Sequence, residues 1–355
     1  MSAAAAAADA ETGLASINFA ALADWMQAQG LGGGPITRPQ LLAGGTQNLI
    51  VRFDRGGRDF VLRKAAPTAY ANGNETMRRE ARVLAALANT DVPHARLIAA
   101  CATDDVLGGA FYLMAPVDGF NVGTGMPEPH ASSPALRHAM GLAMVDGLVA
   151  LRQVDTPAVG LVNFGRTEGF LERQVSRWRS QLDSYARYAG WPGSTALPEV
   201  DAVGLWLEQH RPHHFQPGLQ HGDYHLKNVL FRRDGPALAA IIDWELSTLG
   251  DPMVDLGWLL ATWRDPDEAG HGSPIVIEPW AGFPTAAELV AHYAQRTGAD
   301  VSQVPWYRVF AAYKLALLLE GSHARACAGL ADAELGRRFH TNARNLLLRA
   351  ARWTA

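Results

Sequence analysis

Two polar clusters set in apolar sequence hold the residue types best suited to chemistry: Leu219-Gln-His-Gly-Asp-Tyr-His-Leu-Lys-Asn-Val-Leu-Phe231 and Ala240-Ile-Ile-Asp-Trp-Glu245. Asp223 and Asn228 are five residues apart, where Gly222 favours a tight loop, and Asp243 follows fifteen residues later at the end of the apolar run LAAII. A hairpin over that spacing brings the three polar side chains together. Moving a γ-phosphoryl group asks little covalent help of a protein. It needs an oriented nucleophile and metal ions that neutralise charge on the triphosphate. A carboxylate that accepts a hydroxyl proton, with amide and carboxylate oxygens of the kind magnesium prefers, supplies those parts.

The elements that must position these residues are legible in outline. Asn18 caps a helix through about Gln29, because Phe19, Leu22, Trp25 and Met26 recur at helical spacing. From Ile36 to Lys64 the pattern turns to short extended segments, ITRPQLL, NLIVRF and DFVLRK, which predicts an antiparallel meander. Residues Asn74 to Leu87 carry Met77, Ala81, Leu84 and Leu87 on one stripe and predict an amphipathic helix. Strand-like pieces return at Ala95 to Ala100 and Phe111 to Met114. The Gly- and Pro-rich segment 115–129 reads as a hinge. Beyond it, helical patterns cover about 134–155, 167–188 and 200–210, a strand-rich stretch runs from 219 to 243, and helices follow to the end. The expected class is therefore α+β and bilobed. Residues 1–17 are expected to form a tail, 18–114 a sheet-based N-terminal lobe with one internal helix, and 130–355 a mainly helical lobe.

Composition narrows the function classes. A chain of 355 residues exceeds the size of one hydrophobic core, which agrees with two lobes. Lys plus Arg number 31 against 35 Asp plus Glu, a formal charge of -4, so no global field favours nucleic acid or an anionic membrane. Cys101 and Cys327, the only cysteines, are too few for a disulfide framework or a paired-cysteine metal site. The start MSAAAAAADAETG lacks the basic and Leu/Val-rich regions of a signal peptide, and no run reaches membrane-helix length, so a cytoplasmic protein is expected. The sequence leaves the oligomeric state open.

His221-Gly-Asp223 with Asn228, then Ile242-Asp243-Trp244, resembles the catalytic and metal loops of the aminoglycoside phosphotransferase and choline kinase superfamily, which has the protein-kinase-like fold. Trp244-Glu-Leu-Ser-Thr-Leu-Gly-Asp-Pro252 and Asp255-Leu-Gly257 resemble most the branch sometimes fused to acyl-CoA dehydrogenase domains; the likeness covers roughly residues 35 to 345. The resemblance implies ATP and magnesium as cofactors and a small hydroxylated metabolite as acceptor, and it makes 18–114 the nucleotide-binding lobe and 130–355 the catalytic and substrate-binding lobe. It makes Asp223 the catalytic base, and Asn228 and Asp243 magnesium ligands. Gly44-Gly45-Thr46-Gln47-Asn48 is similar to the family's nucleotide flap, in which glycines permit close approach of backbone to phosphate. Met114, Ala115 and Val117 fall where the family offers backbone groups to adenine, and Glu80 resembles the acidic partner of the phosphate-binding base. Alternation along FVLRK puts Arg63 and Lys64 on opposite faces, so one of them meets phosphate. Arg63 is preferred, a departure from the Lys common in kinases that choline kinases share, with Lys64 as the alternative. His221 braces the loop, and Asp251 and Asp255 stabilise the metal loop and the next helix start.

Two other readings stay open. His221, Asp223 and His225, extended and joined by Asp243, permit a metal-dependent hydrolase. A nucleotide-binding pseudokinase scaffold is the second, because fold does not guarantee activity. For the acceptor, eight basic residues from 301 onward (Arg308, Lys314, Arg325, Arg337, Arg338, Arg344, Arg349 and Arg352) face only Glu320, Asp332 and Glu334. That excess, if it borders the acceptor pocket, favours an anionic substrate such as a hydroxyacyl-CoA over a polycation; a solvated basic face is the alternative.

Overall fold

Asn18 accepts the Ala21 N–H at 3.0 Å and opens α1 (Phe19–Ala28), whose Leu22 and Met26 are buried. The computed structural model describes residues 13–44, 48–66, 72–265 and 273–355, without the side chains of 43 and 44. Residues 1–12 of the expected tail and Gly45, Thr46 and Gln47 of the expected flap lie outside the described residues, whereas residues 13–17 of that tail pack on the unit-1 core through Ile17 and Leu14. The chain forms two units. Unit 1 runs to Asp118 and takes in the returning segment Ala239–Glu245; unit 2 comprises Gly119–Leu238 and Leu246–Ala355.

In unit 1, β1 (Thr37–Gly44), β2 (Asn48–Arg55) and β3 (Arg58–Ala65) form the expected meander. After α2 (Gly73–Leu87), β4 (Leu97–Cys101) and β5 (Phe111–Met114) complete a five-stranded antiparallel sheet in the order β1-β2-β3-β5-β4. Register assigns the faces. Val51 opposes Leu62, Phe53 opposes Phe60, and Leu62 opposes Leu113, so these buried residues share one face and pack in one core with Leu22 and Met26 of α1. Burying each such side chain contributes about 1.5–3 kcal/mol. One residue out of phase, Arg63 opposes Tyr112 on the other face, where both reach Glu80 of α2. The predicted α2 stripe Met77, Ala81, Leu84 and Leu87 is buried, and Glu80 is buried with it. A single cut in the linear chain does not describe the return at 239–245, where the Ile241 N–H donates to the Pro93 carbonyl at 2.8 Å.

In unit 2, α3 (Pro134–Arg152), α4 (Gln174–Asp183) and α5 (Val200–Gln209) precede β6 (Gly218–Gln220) and β7 (Val229–Phe231). The chain then passes through β8 (Leu238–Ile241) and β9 (Thr248–Gly250) to α6 (Met253–Thr262), α7 (Ala286–Thr297), α8 (Val304–Cys327) and α9 (Ala333–Trp353). The second helical pattern begins at Gln174 rather than near 167, because turns occupy 167–173. At three residues β9 is too short to show a strand period; it pairs antiparallel with β6 and aligns the start of α6 beside the loop after β6. No described helix is long and apolar enough to cross a membrane.

Candidate active site

The loop after β6 is fixed from three sides within unit 2. Asp255, buried on α6, accepts the His221 N–H at 2.6 Å on one carboxylate oxygen and the Gly222 N–H at 2.8 Å on the other. Gly222 has φ 86, and a Cβ there would collide with the Leu246 carbonyl. Lys314 of α8 donates to the Gly222 carbonyl at 3.3 Å. His221 is buried and its Nδ1 accepts the Asp223 N–H at 3.3 Å, the bracing contact expected of it.

This frame presents Asp223. Its Oδ1 accepts from the Trp258 indole N–H at 2.8 Å, and its Oδ2 from Asn228 Nδ2 at 2.8 Å. Asn228 also donates to the Asp223 carbonyl at 3.0 Å, so its amide nitrogen is committed and its Oδ1 is the group left for a cation. Asn228 closes a short 3-10 turn over Leu226–Asn228, and Asn121 secures the following backbone by donating to the Lys227 and Val229 carbonyls at 2.7 and 3.1 Å. His225 Nε2 lies 3.3 Å from Asp223 Oδ1. Among the described residues, His221, Asp223 and His225 do not close into a three-ligand metal group, so the arrangement imagined for a hydrolase is not assembled.

Unit 1 carries a second polar group. Arg63 Nη2 donates to Glu80 Oε1 at 3.0 Å and to Asp243 Oδ1 at 2.7 Å, and its Nε lies 2.8 Å from Glu80 Oε2. The Tyr112 hydroxyl donates to Glu80 Oε2 at 2.7 Å. Burial alone would lower the Arg63 pKa, but Glu80, Tyr112 and Asp243 reverse this and hold the guanidinium charged. For Glu80 burial outweighs Arg63 and Tyr112, and its pKa is raised. Lys64 points to the opposite face, in register with Leu49 and Phe111, and burial lowers its pKa. Of the two candidate bases, Arg63 is therefore the one beside Asp243.

Asp243 has φ 68, a left-handed conformation uncommon outside glycine, asparagine and aspartate. Glu80, Asp243 and Glu245 each place a carboxylate oxygen within 4.8 Å of the others, a hard-oxygen set that fits magnesium. Burial and then Asp243 push Glu245 up to about 7, and Asn48 donates to its Oε2 at 3.3 Å. Of the expected flap, Gly44 ends β1 and Asn48 begins β2. Met114 ends β5, the Ala115 N–H donates to the Arg96 carbonyl at 2.9 Å, and Val117 is half-buried. Sequence reasoning missed Trp258, Tyr112 and Glu245, and it counted Lys314 in the C-terminal basic excess rather than against the Gly222 carbonyl; only the proximity of Glu245 to Asp243 in the chain was a local signal.

The basic excess near the C-terminus proves heterogeneous. Arg349 is buried and donates to the Ala261 and Trp263 carbonyls at 2.9 and 3.3 Å. Lys314 lies against the Trp258 and Trp178 rings, and Arg308 over Trp353. These cations serve packing, whereas Arg337, Arg338, Arg344 and Arg352 are exposed on α9. One shared anion pocket does not account for the set.

A family model described as the phosphotransferase enzyme family matches residues 39–304. Over 300 residues the chain is 28% identical to acyl-CoA dehydrogenase family member 10 of Mus musculus, covering 80% of this chain and 27% of that protein. It thus spans about a quarter of the length of this relative. A crystal structure from Ralstonia eutropha, provisionally named an aminoglycoside phosphotransferase, superposes with TM-score 0.76 at 29% identity, covering 95% of this chain and 99% of that one. A thermostable mutant of aminoglycoside phosphotransferase APH(4)-Ia, solved with ADP and hygromycin B, gives TM-score 0.55 at 14% identity over 90% and 97% of the two chains, a likeness of fold alone. The fold is the α+β, protein-kinase-like fold of aminoglycoside phosphotransferases. With well over half its length matched, the chain belongs to the phosphotransferase enzyme family.

Proposed function

We propose that this protein is an ATP- and magnesium-dependent kinase that phosphorylates a hydroxyl group of a small metabolite. The observation that carries the reading is Asp223, whose two carboxylate oxygens are each held by one donor, Trp258 and Asn228, on a loop pinned by Asp255. A carboxylate oriented in this way can accept the acceptor's hydroxyl proton as its oxygen bonds the γ-phosphorus and the bond to the β-phosphate oxygen breaks, releasing ADP. On unit 2, Asn228 Oδ1 is the proposed metal ligand; on unit 1, Asp243 takes that role, with Glu245 beside it. Magnesium would supply charge neutralisation on the triphosphate oxygens. Arg63, held by Glu80, keeps a fixed positive charge next to Asp243 and is the proposed phosphate-binding base. Gly44, Gly45, Thr46 and Asn48 are proposed for the phosphate flap, and Met114, Ala115 and Val117 for adenine. Because the Ala115 N–H is committed to Arg96, its carbonyl and the Val117 N–H are the groups offered. ADP in a solved protein of the same fold supports the choice of nucleotide.

For the acceptor, the acyl-CoA dehydrogenase name of the relatives supports a hydroxyacyl-CoA. The test is ATP turnover with magnesium against a pooled library of hydroxylated metabolites that includes hydroxyacyl-CoAs, beside Asp223→Asn. Acceptor-dependent ADP release that is lost in the variant is expected. Nucleotide binding without turnover across the whole library would overturn the kinase reading in favour of a binding scaffold, and turnover confined to cationic acceptors would overturn the acyl-CoA assignment.

A further inference from the structure

Away from the catalytic loop, α8 and α9 bring four metal-ligating side chains to one place. Glu320, His323 and Cys327 sit at i, i+3 and i+7 of α8, one face of the helix, and His340 comes from α9. The helices approach closely here: a Cβ at Gly336 would run into the Ala326 methyl. Glu320, Cys327 and both histidines remained outside every motif that the sequence offered for catalysis.

Glu320 is fully buried. Its Oε1 accepts the Trp191 indole N–H at 2.7 Å and its Oε2 lies 2.7 Å from His340 Nδ1. Neither described partner is a permanent cation, so a buried carboxylate here gains from a bound positive ion. The His323 and His340 rings lie 4.4 Å apart between centroids, and one ligand atom each from Glu320, His323 and His340 falls within 4.8 Å of the others. Cys327 Sγ is 3.6 Å from His323 Nε2.

We propose that Glu320, His323, Cys327 and His340 form a binding site for a zinc-class divalent cation that clamps α8 to α9. Two imidazoles, a carboxylate and a thiolate are the mixed N, O and S donors that zinc takes in four-coordinate sites, at about 2.0–2.3 Å. Glu320, His323 and His340 already lie within 4.8 Å of one another, and Cys327, 3.6 Å from His323, completes the set by side-chain adjustment. The thiol of Cys327 binds as the thiolate, so its proton passes to solvent when the cation binds. Trp191 is the positioning residue, fixing the Glu320 carboxylate from behind.

The experiment titrates cobalt(II) chloride into the chelator-treated 355-residue protein, with magnesium in excess to occupy the hard carboxylates around Asp243. Stoichiometric binding with intense tetrahedral visible bands, a thiolate charge-transfer band and displacement by zinc is expected. Cys327→Ser should remove the charge-transfer band, His323→Gln with His340→Gln should weaken binding at least about 100-fold, and Trp191→Phe about 10-fold. A weak octahedral spectrum in the unsubstituted protein would overturn the proposal, as would tetrahedral bands that persist in the double histidine variant. If that variant misfolds, the unsubstituted spectrum and Trp191→Phe decide. The readout needs neither ATP nor an acceptor, so it stands apart from the kinase assignment.

Discussion

Trp258 donates its indole N–H to Asp223 Oδ1 at 2.8 Å from a position 35 residues further along the chain. The contact couples α6 to the loop after β6 and fixes the rotation of the carboxylate that the proposed reaction uses as its base. A hydrogen bond to a charged acceptor contributes about 1.5–3 kcal/mol. Trp258→Phe preserves most of the ring volume while removing the donor. Its kcat should fall roughly 10- to 100-fold, with the KM for ATP nearly unchanged. An unchanged kcat with a raised KM would show that Trp258 does not position Asp223.

Arg63 and Lys64 are adjacent in sequence and opposite in consequence. Removing Arg63 leaves Glu80 and Asp243 close together without their cation, and breaking one side of a buried ion pair typically costs about 3–5 kcal/mol. Arg63→Ala should lower the denaturant midpoint and abolish nucleotide-dependent stabilisation. Lys64→Met should leave both nearly intact, because burial already disfavours the Lys64 charge. Equal losses in the two variants would refute the assignment of Arg63 to phosphate.

Asp255 acts through backbone. Each of its oxygens accepts one N–H, from His221 and Gly222. In Asp255→Asn one of those acceptors becomes an amide donor facing another donor, leaving a buried N–H unsatisfied at about 1–3 kcal/mol. Urea unfolding should register that loss, and kcat should drop with little change in nucleotide affinity, since the nucleotide-binding residues proposed on unit 1 are untouched. Loss of nucleotide affinity alone would place the role of Asp255 elsewhere.

What the sequence made legible depends on how local the signal was. The α2 stripe at Met77, Ala81, Leu84 and Leu87 and the alternation that separates Arg63 from Lys64 follow from periods of 3.6 and 2, and both faces are as expected. Glu80 is different: periodicity places it on the buried side of α2, but its partners Tyr112, Arg63 and Asp243 come from three distant segments. The tryptophan at 258 reads locally as one more apolar residue of a buried helix, and only the packing of α6 under the loop turns its indole N–H toward Asp223. Likewise Glu320, His323 and Cys327 lie at helical spacing, but α8 carries polar and apolar residues all round, and the fourth donor, His340, is brought in by the next helix.

Lys314 offers a test with a worked sign. Burial against the Trp178 and Trp258 rings lowers its pKa from 10.5 to about 8, with Asp255 and Asp223 opposing. In the unfolded chain it stays protonated to about pH 10.4. Between those values the unfolded state therefore binds more protons than the folded one, so stability attributable to this residue rises with pH. Below pH 8 the folded protein carries the full cost of the buried charge, on the order of 3 kcal/mol. Lys314→Met should accordingly be more stable than the unsubstituted protein at pH 7. The gap should narrow as pH rises from 8 and close near 10.5. The same variant loses the donor to the Gly222 carbonyl and should show a reduced kcat, so the residue trades stability for a fixed catalytic loop. Paired urea titrations at several pH values decide the matter, and a stability difference that does not vary with pH would mean that the Lys314 ammonium is solvated in the folded protein.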